Sequence, residues 1–132
     1  MDDQKLKDYF KFDDADLQAN RNGQITEKQK ARVLKRDRSR LSLTSLFSSK
    51  FGYKLAKVQG PIKFESLQTA YHGGELWYYL DVGEKSFRVD EGLPNIMPNG
   101  NVFTIYYCYA DDAPDDNGLY EILSVELISK AK

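Results

Sequence analysis

The stretch Leu76-Trp77-Tyr78-Tyr79-Leu80-Asp81-Val82-Gly83-Glu84-Lys85-Ser86-Phe87-Arg88-Val89 decides the fold. Leu76, Tyr78, Leu80 and Val82 alternate with Trp77, Tyr79 and Asp81, the period of a half-buried strand. Gly83 interrupts the alternation, and Phe87 and Val89 resume it. Two β-type runs joined by a short glycine-containing link read as a β-hairpin with Phe87 and Val89 facing the core.

Working outward, the same period recurs on both sides. Leu55 to Gln59 reads as a strand, Gly60-Pro61 as a kink because proline cannot donate to a ladder, and Ile62 to Leu67 as its continuation. Ala70 to Gly74 reads as a loop. Between Glu91 and Gly100, Leu93, Ile96 and Met97 have the spacing of one helical turn. Val102 to Tyr109 is an aromatic strand, Asp111 to Gly118 an acidic turn, and Leu119 to Ile128 a last strand with Leu119, Leu123 and Val125 on one face. Five strands, the first one bent, with a helical plug between the third and fourth, predict a small antiparallel OB-like barrel over 53–132. An SH3-like roll is the alternative. Closure would remove edges that are hazardous in strands this aromatic.

Residues 1–52 read as a helical arm, so the fold class is α+β. Leu6, Tyr9 and Phe10 share one side of a short helix over 2–12. Asp13 is placed as an N-cap, with Phe12 and Leu17 as a hydrophobic staple, and this second helix stops near Asn22-Gly23. Thr26 and Gln29 have capping-box spacing for a third helix reaching about Arg40. Leu43, Leu46, Phe47 and Lys50 keep helical spacing up to Gly52.

Formal net charge is −1 over 132 residues, but the halves differ. Residues 1–52 carry twelve Lys or Arg against eight Asp or Glu; residues 53–132 carry seven against twelve. Attraction to anions therefore belongs to the first half. The single cysteine, Cys108, excludes an intrachain disulfide and a cysteine-rich metal site, and fits a reducing compartment. The opening Met-Asp-Asp-Gln-Lys lacks the layout of a secretion signal, and no apolar run approaches the roughly 18 residues of a membrane span. The expectation is a soluble chain.

The chemistry-bearing candidates are few. Gln18 to Gln29 resembles a twelve-residue EF-hand loop with Gly23 at position six, yet its first and last positions are neutral, so ordinary helix capping is the stronger reading and no metal is expected. The helix carrying Lys28, Arg32, Lys35, Arg36, Arg38 and Arg40 could meet phosphate groups of a membrane surface or a nucleic acid, or be a solvated charged face. Trp77, Tyr79, Tyr106 and Tyr107 could stack on single-stranded bases, or fill the barrel. His72 reads as a loop residue, Cys108 as a strand residue, and Asp111, Asp112, Asp115 and Asp116 as a solvated hairpin loop. There is no P-loop, GxGxxG, HExxH or nucleophile elbow, so no enzyme, cofactor or small-molecule substrate is expected.

Leu17, Ala19, Asn20, Gly23, Ile25, Thr26 and Gln29, leading into the basic helix, resemble a segment of uncharacterised bacterial membrane-anchored proteins. Lys57-Val58-Gln59-Gly60-Pro61-Ile62, Phe87-Arg88-Val89, Tyr106-Tyr107 and Leu123-Ser124-Val125-Glu126 extend the resemblance. In those proteins a hydrophobic hairpin follows the basic helix; residues 41–53 here are too short and too polar to span a bilayer. The resemblance implies a cytoplasmic domain at the inner face of a membrane, basic helix towards that face. It carries no catalytic residue. Together these observations predict a non-catalytic interaction module. A protein partner or an anionic membrane surface is favoured over nucleic acid, with single-stranded nucleic-acid binding as the alternative.

Overall fold

The computed structural model describes residues 3–38, 53–68, 76–90, 92–110 and 120–130. Among these residues three helices, α1 (Asp3–Phe10), α2 (Asp14–Arg21) and α3 (Glu27–Arg38), precede five strands. These are β1 (Tyr53–Gln68), β2 (Leu76–Val82), β3 (Lys85–Val89), β4 (Val102–Ala110) and β5 (Glu121–Ser129). They form one antiparallel sheet in the order β3-β2-β1-β4-β5. The expected loop at 70–74, acidic turn at 111–118 and helical continuation through 41–52 lie outside the described residues.

The long first strand makes this order possible. It pairs with β4 from Tyr53↔Ala110 to Pro61↔Val102, then with β2 from Ile62↔Val82 to Gln68↔Leu76. The change of partner falls at Gly60-Pro61, where proline has no N–H for a ladder. Past it, Ile62 exchanges backbone bonds with Asn101 (3.1 Å) and Gly100 (2.9 Å). The expected hairpin forms, with Gly83-Glu84 as its two-residue link and Gly83 at φ +57°. A positive φ at the first loop position suits a type II′ turn, whose twist matches the flanking strands.

Alternation places Leu80, Val82 and Phe87 in the main core with Ile62, Phe103 and Ile105. Phe87 meets Tyr107 edge-on, centroids 5.0 Å apart. Leu93, from the short 3-10 turn Leu93–Asn95, and Met97, just after it, are also buried in this core. On the opposite face Val33 of α3 packs on Cys108 and Leu123. The interior strand β4 is thus covered on both sides, and every residue from Phe103 to Cys108 is buried.

Two expectations are corrected. Leu123 and Val125 do not share a face: Val125 joins the main core, and Leu123 lies under α3. A bulge is the cause, since Tyr106 pairs with Ser124 but Tyr107 with Ile122, leaving Leu123 as the extra residue. A bulge shifts the alternation by one, so Leu123 and Ser124 both meet the helices. The expected barrel is also not closed. β3 and β5 end the sheet, and no ladder joins them among the described residues. The helix α1 lies across the opening. It packs on β5, its Leu6 and Phe10 enter the main core, and its Tyr9 hydroxyl donates to the Asp90 carboxylate (3.1 Å) just beyond β3. The Asp90 N–H donates back to that hydroxyl at 3.1 Å. A ladder between the edges would have to displace this helix. At the other end of the opening, the Lys85 ammonium donates to the Tyr120 hydroxyl at 3.2 Å.

Candidate interaction surface

The helices are held on β5 by a polar clamp built from the stretch that resembles an EF-hand loop. Asp13 caps α2: its carboxylate accepts from the Asp16 N–H (2.8 Å), and Asp16 accepts from the Asp13 N–H (3.1 Å). Gly23, at φ +83°, turns the chain out of α2. Thr26 and Gln29 form the expected capping box, each side chain accepting from the other's N–H at 3.2 Å. The Thr26 hydroxyl also donates to Asp16 at 2.8 Å. Asn20 and Gln29 are both buried and exchange two amide hydrogen bonds, 2.9 and 3.0 Å. Ser124 of β5 donates to Asn20 at 2.7 Å, and Gln29 donates to the Leu123 carbonyl at 3.4 Å. The side chains of Asn20, Thr26 and Gln29 are thus bonded to one another, to Asp16 and to the strand.

This clamp sorts the basic residues of α3. Lys28 is held at its N-terminal end by Asp13 (2.9 Å) and Asp16 (2.8 Å). These bonds, Asp16's first, raise the Lys28 pKa. The Asp16 N–H, then Lys28, lower that of Asp13. Lys30 pairs with Glu27 at 3.2 Å. Arg32 turns inward: its guanidinium donates to the carbonyls of Phe10, Lys11 (3.0 Å) and Ile122 (3.0 Å). Lys35 is exposed, and no acidic side chain among the described residues pairs with it. Arg36 and Arg38 are in the helix by backbone, with side chains beyond what is described, and Arg40 lies outside the described residues.

The aromatic candidates separate as well. Tyr106 and Tyr107 are buried, so they fill the fold, and burial raises the Tyr107 hydroxyl pKa. Tyr79 is half-buried, opposite Glu65 on one side and the exposed Arg88 on the other. Trp77 stands opposite Leu67 in the ladder, its side chain outside what is described. Cys108 is fully buried, while His72 and the Asp111–Asp116 carboxylates lie outside the described residues. The inward role of Arg32 escapes sequence reasoning, because a cation in a basic helix reads as surface. A signal was present: Gln29, Arg32 and Val33 stand at i, i+3 and i+4, one side of a helix.

No group of three His, Cys, Asp or Glu side chains among the described residues could hold a metal ion. Nor is any helix among them long and apolar enough to cross a membrane. No protein-family model, curated protein or solved structure matches the chain.

Proposed function

We propose that this chain is a non-catalytic interaction module that meets an anionic surface, the cytoplasmic face of a bacterial membrane, through the outward side of α3. The observation that carries it is the division of that helix. Its first turns are neutralised by Asp13, Asp16 and Glu27, whereas Lys35 is exposed. The basic run of Lys35, Arg36, Arg38 and Arg40 follows in sequence. Basic residues near an anionic leaflet contribute about 1 kcal/mol each, screened by salt. Sedimentation with vesicles tests it. Binding to anionic and not to zwitterionic vesicles is expected, lost at about 1 M salt, where the Debye length is about 3 Å. Lys35→Glu, a change of two charges and so about 2 kcal/mol, weakens it roughly thirtyfold. No sedimentation with anionic vesicles at low salt refutes the proposal.

The strand order, with a 3-10 turn between β3 and β4, supports reading the sheet as an OB-type barrel opened between β3 and β5. That favours a second reading, single-stranded nucleic acid on the outer face of β2 and β3. Tyr79 beside Arg88 is the supporting observation. It predicts salt-sensitive quenching of Trp77 fluorescence by oligonucleotides; unchanged fluorescence ends it.

A further inference from the structure

We propose that Arg32 couples α1 and α3 into one unit that seats on the sheet, and opens from it, together. Phe10 and Lys11 are the end of α1 and the residue after it, where helical carbonyls lack partners within their own helix. Arg32 of α3 supplies those partners through Nη1. Its Nη2 holds the Ile122 carbonyl on the edge strand β5, and Nε stands 3.8 Å from the Glu121 carboxylate. Nε is buried with no hydrogen-bond partner. One planar cation thus joins two helices and a strand. Lifting α3 strips the carbonyls of α1, and lifting α1 strips a partly buried guanidinium. Each departure makes the other easier.

Apart from Val33, which packs on Cys108 and Leu123, and Leu17, which packs against the main core, the remaining hold of α2 and α3 on the sheet is polar. It consists of Asn20 to Ser124, Gln29 to the Leu123 carbonyl and Arg21 to Glu126. Such bonds are exchanged for water at small net cost, so this side belongs to the part of the fold that opens locally. Cys108 is buried in contact with Val33 and reports that opening, because lifting α3 uncovers the thiol to a reagent. Leu6 of α1 belongs to the other core.

The test is the labelling rate of Cys108 in four proteins: the parent, Leu6→Ala, Arg32→Lys and the double variant. Lysine keeps the charge but offers a point donor in place of the guanidinium fork. Leu6→Ala is expected to speed labelling about tenfold with Arg32 present, the size of one charge-assisted hydrogen bond, and to have little effect with Lys at that position. Tyr9→Phe, a milder loosening of α1, behaves the same way. Amide exchange of α1 and α3 is matched in the parent and diverges in Arg32→Lys. Equal acceleration by Leu6→Ala in both backgrounds, or unmatched exchange in the parent, overturns the coupling.

Discussion

Replacing Asn20 probes the polar clamp directly. The side chain is 2% exposed and makes four bonds: it donates to Gln24 O (2.9 Å) and Gln29 Oε1 (2.9 Å), and accepts from Gln29 Nε2 (3.0 Å) and Ser124 Oγ (2.7 Å). Asn20→Ala leaves the Ser124 hydroxyl and half of the Gln29 amide buried without those partners. An unsatisfied buried polar group costs about 1–3 kcal/mol; Gln29 partly recovers through Leu123 O and Thr26 N, so it and Ser124 lose about 3 kcal/mol together. A domain of this size has roughly 5–15 kcal/mol in total, so the variant still folds. With a urea m-value of about 2 kcal/mol/M, the midpoint falls by about 1.5 M. Asn20→Asp is close in shape, but its carboxylate faces Gln29 Oε1 and Gln24 O and is buried as a charge. It should lose more than the alanine variant. A loss under about 0.5 kcal/mol, ordinary for a surface substitution, refutes the reasoning, and so does an Asp variant at least as stable as Ala.

Other substitutions test other joints. Gly83→Ala places a Cβ at φ +57°, 3.4 Å from Val58 Cγ2, and should cost about 1 kcal/mol or more by thermal unfolding; no loss would deny the turn geometry. Phe87→Ala empties a site 2% exposed against Tyr107 and Tyr120 and should cost about 3–5 kcal/mol in urea; a loss under 1 would place the hairpin outside the core. Burial, with the Asp90 carboxylate adding to it, pushes Tyr9 up to about 12. The folded chain then binds more protons than the unfolded one above pH 10, so stability falls as pH rises from 10 towards 12. Tyr9→Phe should remove part of the late tyrosinate absorbance, the rest including the buried Tyr107; an unchanged titration contradicts the contact.

Local chemistry was legible in the chain, and long-range placement was not. The caps at Asp13 and Thr26, the hairpin at Gly83 and the buried turn at Leu93 and Met97 are each specified within a few residues. The bulge at Leu123 escaped, because an extra residue shifts which side chains share a face without changing the composition of the strand. Barrel closure failed as an expectation because it depends on what reaches the gap between β3 and β5. That occupant, α1, is some eighty residues from Asp90 in sequence. The basic stripe of α3 was visible as a run, but its division into neutralised, inward and exposed cations is set by Asp13, Asp16 and the carbonyls of Phe10, Lys11 and Ile122. Asn20 and Gln29 look like neutral calcium-loop positions until Ser124 is placed beside them.

The most direct measurement is a residue-resolved amide NMR titration of the intact chain with anionic bicelles, repeated with a single-stranded oligonucleotide. Docking through α3 predicts bicelle-induced shifts at Lys35 and its helical neighbours that vanish in high salt, with Tyr79 and Arg88 unmoved. Shifts confined to Tyr79 and Arg88, or none on α3, would contradict it.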